Sequence, residues 1–349
     1  MTALLGIVID VQDSITLSAS DLETSAKSSF TADISERGKV LVPGRLLSEI
    51  SKALTNKPVT FTLDGNRVIV TTGSAKFTLP TLPINEYPTL PSLPQTSGNV
   101  TSETFATAVN QVAVAAGRDD SLPTLTGIHV DINRETITLA ATDRYRLAVR
   151  DINWIPNDPD LTTTALLRAR TLAEAAKSIS NTKEISIALA PISNNERLVG
   201  FATDSKTMTS RQLDGAFPPY RHLLPTSEIA TAVIEVATLL ESVRRVALVT
   251  DKTIPLRLKF NDGTLQLEAG AGDEAQATEE LQINFTGEAI DIAFNPSFLT
   301  DGLNALGTTY VNIAFTGSNK PAMLSGKNKI DGEPDTSFRY LLMPMRYAS

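Results

Sequence analysis

The sequence predicts an α+β chain made of three like domains, each with antiparallel sheets and amphipathic helices. Three observations predict it. A β-hairpin pattern is written three times, opening at Gly6, at Gly127 and at Leu256. In each repeat a strand then runs into a helix with one apolar face. Proline-rich connectors, Tyr87–Pro94 and Phe217–Pro225, close the first two repeats, because proline stiffens a link and stops a helix from continuing. A period of this size means repeated globular domains rather than a solenoid. The boundaries are placed near residues 97 and 225, giving domains at 1–97, 98–225 and 226–349.

The elements follow in order. In the first hairpin Ile7, Ile9 and Val11 alternate, then Ile15, Leu17 and Ala19, as half-buried strands do. Asp64-Gly65 and Asn261-Asp262-Gly263 supply hairpin turns. One helix face per repeat follows the i, i+3, i+4 rule. It reads Leu46, Leu47, Ile50, Ala53 and Leu54, then Ala169, Leu172, Ala173, Ala176 and Ile179, then Phe298, Leu299, Gly302, Leu303 and Leu306. Repeats two and three have a second helix before the hairpin. Its faces are Phe105, Ala108, Val109, Val112 and Ala116, ending at Gly117, and Val236, Leu239, Leu240, Val243 and Ala247. The first repeat has only five residues before Gly6. Internal comparison therefore predicts a further helix in front of it, on about 25 residues, covering sheet surface worth on the order of 10 kcal/mol.

Composition narrows the function. The 349 residues are 42% hydrophobic and 20% charged, ordinary for a globular chain, and no apolar run approaches membrane-spanning length. The absence of cysteine removes disulfides and thiolate metal sites and fits a cytoplasmic location. The net charge of −8 repels nucleic acid overall, so any DNA role needs locally concentrated positive charge.

Catalytic patterns are missing. His129 and His222 stand far apart without partners at ligand spacing, and no phosphate loop, nucleophile elbow or dinucleotide fingerprint occurs. Asp143-Arg144-Tyr145-Arg146 reads either as an acid–base cluster or as a charged strand connection with local ion pairs. Lys327 and Lys329 read as solvated loop residues. No catalysis, metal or cofactor is expected.

Three stretches carry a resemblance. They are Leu41–Ile50, Ala141–Val149 with its Thr142-Asp143-x-x-Arg146-Leu147 core, and the tail Tyr340–Arg346 with Met343-Pro344-Met345-Arg346. With the triple repeat they resemble the bacterial DNA polymerase III β subunit, the sliding clamp. Leu41–Ile50 and residues 115–120 look most like its actinobacterial branch. The resemblance implies a head-to-tail homodimer, a ring of six like domains with helices lining a central hole and sheets outside. It implies double-stranded DNA, encircled without sequence preference, as cargo. It implies the replicative polymerase α subunit, the clamp loader and other clamp-binding-motif proteins as partners. It implies an accessory subunit with no membrane role.

Charge placement fits a basic lining. Residues 44–57, 101–118, 165–180, 233–246 and 295–306 carry net +2, 0, +2, 0 and −1, together +3, leaving −11 for the rest. Arg45, Lys52, Arg118, Arg168, Lys177, Arg244 and Arg245 are the candidate DNA-facing residues. Residues matching the family's dimer contact are Phe77 and Leu79 from domain one and Leu248 and Val249 from domain three; all four also read as core. The family's peptide-binding pocket maps onto Leu125, Thr142, Arg146, Leu147, Pro218, Leu223, Ile254, Asn295 and Phe298. The tail adds Leu341, Leu342, Met343, Pro344, Met345 and Arg346. Methionine suits a pocket that must accept several related peptides. His222 stands at a pocket position often basic in the family, and Tyr347 follows the arginine where relatives often end on an apolar residue. On the residues alone, a hydrolase using Asp143 and Arg146 and a non-DNA structural β-rich repeat protein stay open.

Overall fold

The computed structural model describes residues 3–54, 56–179, 182–189, 197–249, 254–270 and 275–346. Among them five α-helices leave directly, or through one capping residue, from a strand. They are α1 (Gly44–Ala53), α2 (Ser102–Ala113), α3 (Ala169–Ile179), α4 (Val236–Val246) and α5 (Pro296–Leu306). The apolar period changes from two to 3.6 at each of these junctions, which is why the backbone changes state there. Helix α5 shows the local chemistry most fully. The Asn295 side chain accepts hydrogen bonds from the amides of Ser297 and Phe298, Pro296 takes a first-turn position, and Gly307 ends the helix at φ 68°.

The helix faces are largely those predicted, with corrections on each helix; on α4, Leu240 is half-buried and Ala247 falls in the 3-10 turn that follows. On α1, Leu47 and Ile50 are buried, but Leu46 and Ala53 face outward, because a ten-residue helix on one sheet covers a narrower stripe. On α3, Ala175 is buried where Ala173 was expected, and Ala173 is only half-buried. On α5, Phe298 is half-buried at the edge of its face. Helix α2 stops at Ala113, so buried Ala116 belongs to the turn after it. Lys327 is a further departure: it ends the strand Ala322–Lys327 opposite Tyr310 and is only 9% exposed, whereas Lys329 is solvated.

The chain packs as two compact units. The first comprises Met1–Ser102 and Asn181–Gln212. Its large antiparallel sheet runs in the order Thr96–Thr101, Glu184–Leu189, Leu198–Ala202, Lys206–Arg211, Thr24–Phe30, Ile15–Ser20, Gly6–Val11, Gly38–Pro43. A three-stranded sheet, Thr60–Asp64, Arg67–Thr72 and Ala75–Pro80, completes it. Ile9, Val42, Leu47, Ile50, Val68, Val70 and Leu79 form the core between them, with Ile7, Val11, Ile15 and Leu17 packed at its margin. The strand Lys206–Arg211 hydrogen-bonds to Thr24–Phe30, which ties the end of the second repeat to the first.

The second unit comprises Glu103–Ser180 and Leu213–Ser349. Its sheet runs Thr162–Arg168, Gly127–Asn133, Thr136–Thr142, Arg146–Asn153, Asp335–Leu342, Ala322–Lys327, Tyr310–Phe315, Ala230–Glu235, Asn284–Gly287. A four-stranded sheet, Ala277–Gln282, Thr264–Ala269, Leu256–Asn261 and Ile290–Phe294, lies in the same unit, and α4 packs on α5. The strand Arg146–Asn153 pairs with Asp335–Leu342, Leu147 opposite Leu341, so the chain's last strand joins its second and third repeats.

Gly302 tests this packing. A Cβ built there would lie 2.5 Å from Cε1 of the fully buried Tyr340 ring. Gly302→Ala gains about 1 kcal/mol of helix propensity, but overpacking a closed core costs about 1–3 kcal/mol. The expected result is a lower urea midpoint; an unchanged or raised midpoint would show that Tyr340 has room to move.

Candidate functional site

The site is built around the short connection between strands Thr136–Thr142 and Arg146–Asn153. Asp143 Oδ1 accepts the amides of Tyr145 (3.0 Å) and Arg146 (3.1 Å). The Thr142 hydroxyl donates to the Arg146 carbonyl at 2.6 Å and accepts the Arg144 amide at 3.1 Å. These side-chain bonds fold the turn. They also hold Arg144 at φ +79°, a region a non-glycine residue enters at a cost of order 1 kcal/mol.

The turn delivers Arg146 into the interior, 5% exposed. Its Nε donates to Asp143 Oδ2 at 2.9 Å and its Nη1 to Asp301 Oδ2 on α5 at 2.6 Å. Its guanidinium carbon lies 4.2 Å from the centroid of the Phe298 ring. The Tyr340 hydroxyl donates to the Phe298 carbonyl at 2.9 Å. Burial works against the charged form of Arg146, but Tyr340, Asp301 and Asp143 outweigh it, and the guanidinium titrates above its ordinary range. Burial likewise raises the Tyr340 hydroxyl, which Arg146 pulls back only in part. The group is thus a fixed cation that joins a strand turn to α5.

A groove of 350 Å³ opens over this cation. Leu122, Leu125, Tyr145 and Phe298 supply its apolar walls, with the Tyr145 and Phe298 rings 6.4 Å apart. Arg118, Asp119, Asp143, Arg144, Arg146 and Asp301 also line it.

Of the residues mapped from the resemblance, Leu125, Arg146 and Phe298 line the groove. Thr142, Asn295 and Leu342 support it, through the Arg146 carbonyl, the Phe298 amide and pairing opposite Arg146. The Met343 amide donates to the Tyr145 carbonyl at 2.9 Å, and the Met345 amide to the Ala293 carbonyl at 2.8 Å, so the tail is stitched on both sides. Leu147 and Leu341 belong to a buried cluster with Ala140, Val149 and Tyr220, bordered by Phe217, Leu224 and Met323. Leu223 and Met343 are exposed apolar side chains at 45% and 39%. Pro218 and Arg346 are exposed; Pro344, Met345 and Ile254 are half-buried. Tyr347 lies outside the described residues. His222 is exposed on a 3-10 turn, and His129 is stacked on Phe217 at 5.2 Å, where burial lowers its pKa. Tyr145, Arg144, Asp301 and Leu122 were not singled out as pocket residues; Asp301 lies 155 residues from Arg146, and no local pattern links them.

The candidate DNA-facing set divides. Lys52, Arg118 and Arg244 are exposed and make no ion pair among the described residues. Arg45 pairs with Glu49 at 2.9 Å, Arg168 with Asp120 at 3.3 Å, and Arg245 with Glu279 at 2.6 Å. Lys177 is exposed at the last turn of α3. Arg118, expected to face DNA, lines the groove. Of the dimer candidates, Leu79 is wholly buried in the first unit's core, in keeping with its core reading, and Phe77 packs at that core's margin. Leu248 is 83% exposed and Val249 half-buried, on the 3-10 turn Ala247–Val249.

Among the described residues, no group of three or more acidic or histidine side chains could hold a metal, and no helix is long and apolar enough to cross a membrane. Three family profiles match in series: the N-terminal domain of the DNA polymerase III beta subunit over 1–91, its central domain over 99–219 and its C-terminal domain over 221–346. The chain belongs to the DNA polymerase III beta subunit family, the sliding clamps. A beta sliding clamp of Streptomyces coelicolor is 47% identical over 344 residues, 98% of this chain and 92% of that protein. The beta sliding clamp homolog GriR of Streptomyces muensis is 43% identical, over 99% of this chain and 92% of its own length. A sliding clamp from Pseudomonas aeruginosa, solved bound to griselimycin, superposes with a TM-score of 0.89 at 25% identity, covering 99% of this chain and 92% of that one. Neither the hydrolase nor the structural-repeat alternative finds support; the oxygens of Asp143 are spent on the turn and on Arg146.

Asp143 is therefore expected to matter for folding. Asp143→Ala leaves two amides and a buried guanidinium short of a partner, and it should cost about 2–4 kcal/mol in urea unfolding. A loss under about 0.5 kcal/mol would mean that Asp301 alone satisfies Arg146.

Proposed function

We propose that two copies of this chain close head to tail into a ring around duplex DNA in the cytoplasm. The ring tethers the replicative polymerase, the clamp loader and other peptide-bearing factors, and so confers processivity. The chain is an accessory subunit of DNA polymerase III and supplies residence time rather than chemistry. The observation that carries the reading is the serial match of three beta-subunit domains over nearly the whole chain. The domains are taken as 1–97, 98–225 and 226–349, a pseudo-repeat that suits a ring of six.

Enclosure explains how a chain of net charge −8 can serve DNA. A ring needs no tight binding, and contacts to phosphate carry no sequence information, so it slides. Lys52, Lys177, Arg244 and the partly neutralised Arg45, Arg168 and Arg245 are the proposed lining contacts. The groove over Arg146, together with the exposed Met343, whose amide bonds the carbonyl of the wall residue Tyr145, and the exposed Leu223, is the proposed peptide site. A head-to-tail ring needs a heterologous contact that closes on itself. Leu248 is the proposed apolar anchor on one side of it; Phe77 is its counterpart, and buried Leu79 shapes the strand beneath.

Two measurements test the reading. Protein loaded on a nicked circular duplex should survive a salt wash and leave once the circle is linearised; release by salt alone would count against enclosure. Leu248→Asp should yield monomers in sedimentation with an unchanged circular-dichroism spectrum. An undisturbed dimer would remove Leu248 from the contact.

A further inference from the structure

We propose that a hydroxyl-lined recess in the first unit binds a phosphate monoester, carried by a phosphorylated side chain or by a small molecule. The recess lies on the strands Thr24–Phe30 and Lys206–Arg211 and owes nothing to the groove over Arg146. The first observation is an array of hydroxyls that strand register assembles. Successive side chains of a strand point to opposite faces, so Ser25, Lys27 and Ser29 share one face. Pairing sets Thr209 beside Ser25 and Thr207 beside Lys27. On the next strand it sets Ser20, Ser18 and Thr16 opposite Ser25, Lys27 and Ser29. Ile15 and Leu17 of that strand turn the other way, to the core. Three neighbouring strands therefore present hydroxyls around a single lysine.

The array opens into a cavity of 380 Å³, whose lining includes Pro91, Ser92 and Leu93 of the proline-rich connector. Gly200, opposite Thr209 on the adjoining strand, makes room for that connector: a Cβ there would stand 2.3 Å from Leu93 Cδ1. The second observation is that donors here lack acceptors. The Ser25 and Thr209 hydroxyls, 5% and 4% exposed, bond each other at 2.6 Å. One of them donates, so the other keeps a proton that no further hydrogen bond takes among the described residues. A buried donor of this kind calls for an acceptor. The Thr207 and Ser92 hydroxyls have no partner among the described residues either.

Charge selects the ligand. Lys27 is exposed and makes no ion pair among the described residues. Asp204 is the only acid on the lining, against Lys27 and Lys206, so the recess is net positive. A phosphate monoester carries nearly two negative charges and three strong acceptor oxygens, which meet one ammonium and several hydroxyls together. A carboxylate brings fewer oxygens in one plane. A nucleic-acid backbone offers a singly charged diester on the outside of a broad rod, which suits an open basic surface better than a recess walled by a connector.

The test titrates the whole chain with a labelled peptide, Gly-Ala-Ser-Pro-Ala-Gly, phosphorylated on its serine or left plain, and with inorganic phosphate as competitor. The peptide has no large apolar side chain to fill the groove over Arg146. The phosphorylated form should bind about tenfold or more tighter than the plain one, and inorganic phosphate should displace it. Lys27→Gln, at an exposed strand position, should cut that preference to about twofold. Thr207→Val keeps a β-branched side chain in the strand and should weaken the phosphopeptide about threefold. Tighter binding of the phosphopeptide than of inorganic phosphate supports a protein source, and the reverse a small-molecule source; either supports the site. Equal binding of the two peptides, or a preference untouched in Lys27→Gln, would overturn the proposal. Displacement by a short DNA duplex but not by inorganic phosphate would assign the recess to DNA and overturn it as well.

Discussion

The second unit depends on the buried, fully paired cation of Arg146. Arg146 leaves a strand turn, crosses beneath the groove and meets α5 through Asp301. An isolated guanidinium in that place would be prohibitively costly. Two carboxylates, a tyrosine hydroxyl and the face of Phe298 surround it, and these partners come from three pieces of chain. The constraint runs both ways. Because the charge must be satisfied, the turn, α5 and the last strand are held in one relation, and the groove between them is formed before any partner arrives. A preformed groove is what lets a short segment bind with little ordering cost on the receiving side.

That economy of means recurs along the chain. Each helix starts where the apolar period of the preceding strand changes, and only α5 among the described caps has both a side-chain bond and a left-handed glycine stop. It is also the helix that carries Phe298 and Asp301 to the site. The remainder of the fold rests on sheet pairing and buried aliphatic side chains, which tolerate much wider substitution.

Much of this was legible in the residues, and the exceptions share a cause. Hairpins could be read because alternation and turn chemistry are local, as in the pairing of Val11 with Ile15. Helix faces could be read for the same reason. Leu46 and Ala53 were misassigned because periodicity gives the direction of a face and not how wide a neighbour covers it. Lys327 was misread as loop because a strand's end is set by its partner, here the strand beginning at Tyr310. Leu79 was open to two readings, core and dimer contact, because an apolar strand residue looks the same in both; the first unit's core closes over it. At the site, Asp143 and Arg146 were visible as a cluster, and their bland reading as a local ion pair proved half right. The missing half is Asp301, whose role exists only after the second and third repeats have folded together.

Charge closes the argument. A net −8 chain that must live on DNA cannot rely on its overall field. Several of its lining candidates are moreover tethered to carboxylates, as Arg45 is to Glu49 and Arg245 to Glu279. Exposed pairs of this kind contribute little to stability, but they soften the positive potential that a passing phosphate meets. A strongly bare basic lining would grip the duplex and slow translocation; a partly compensated one lets topology do the holding.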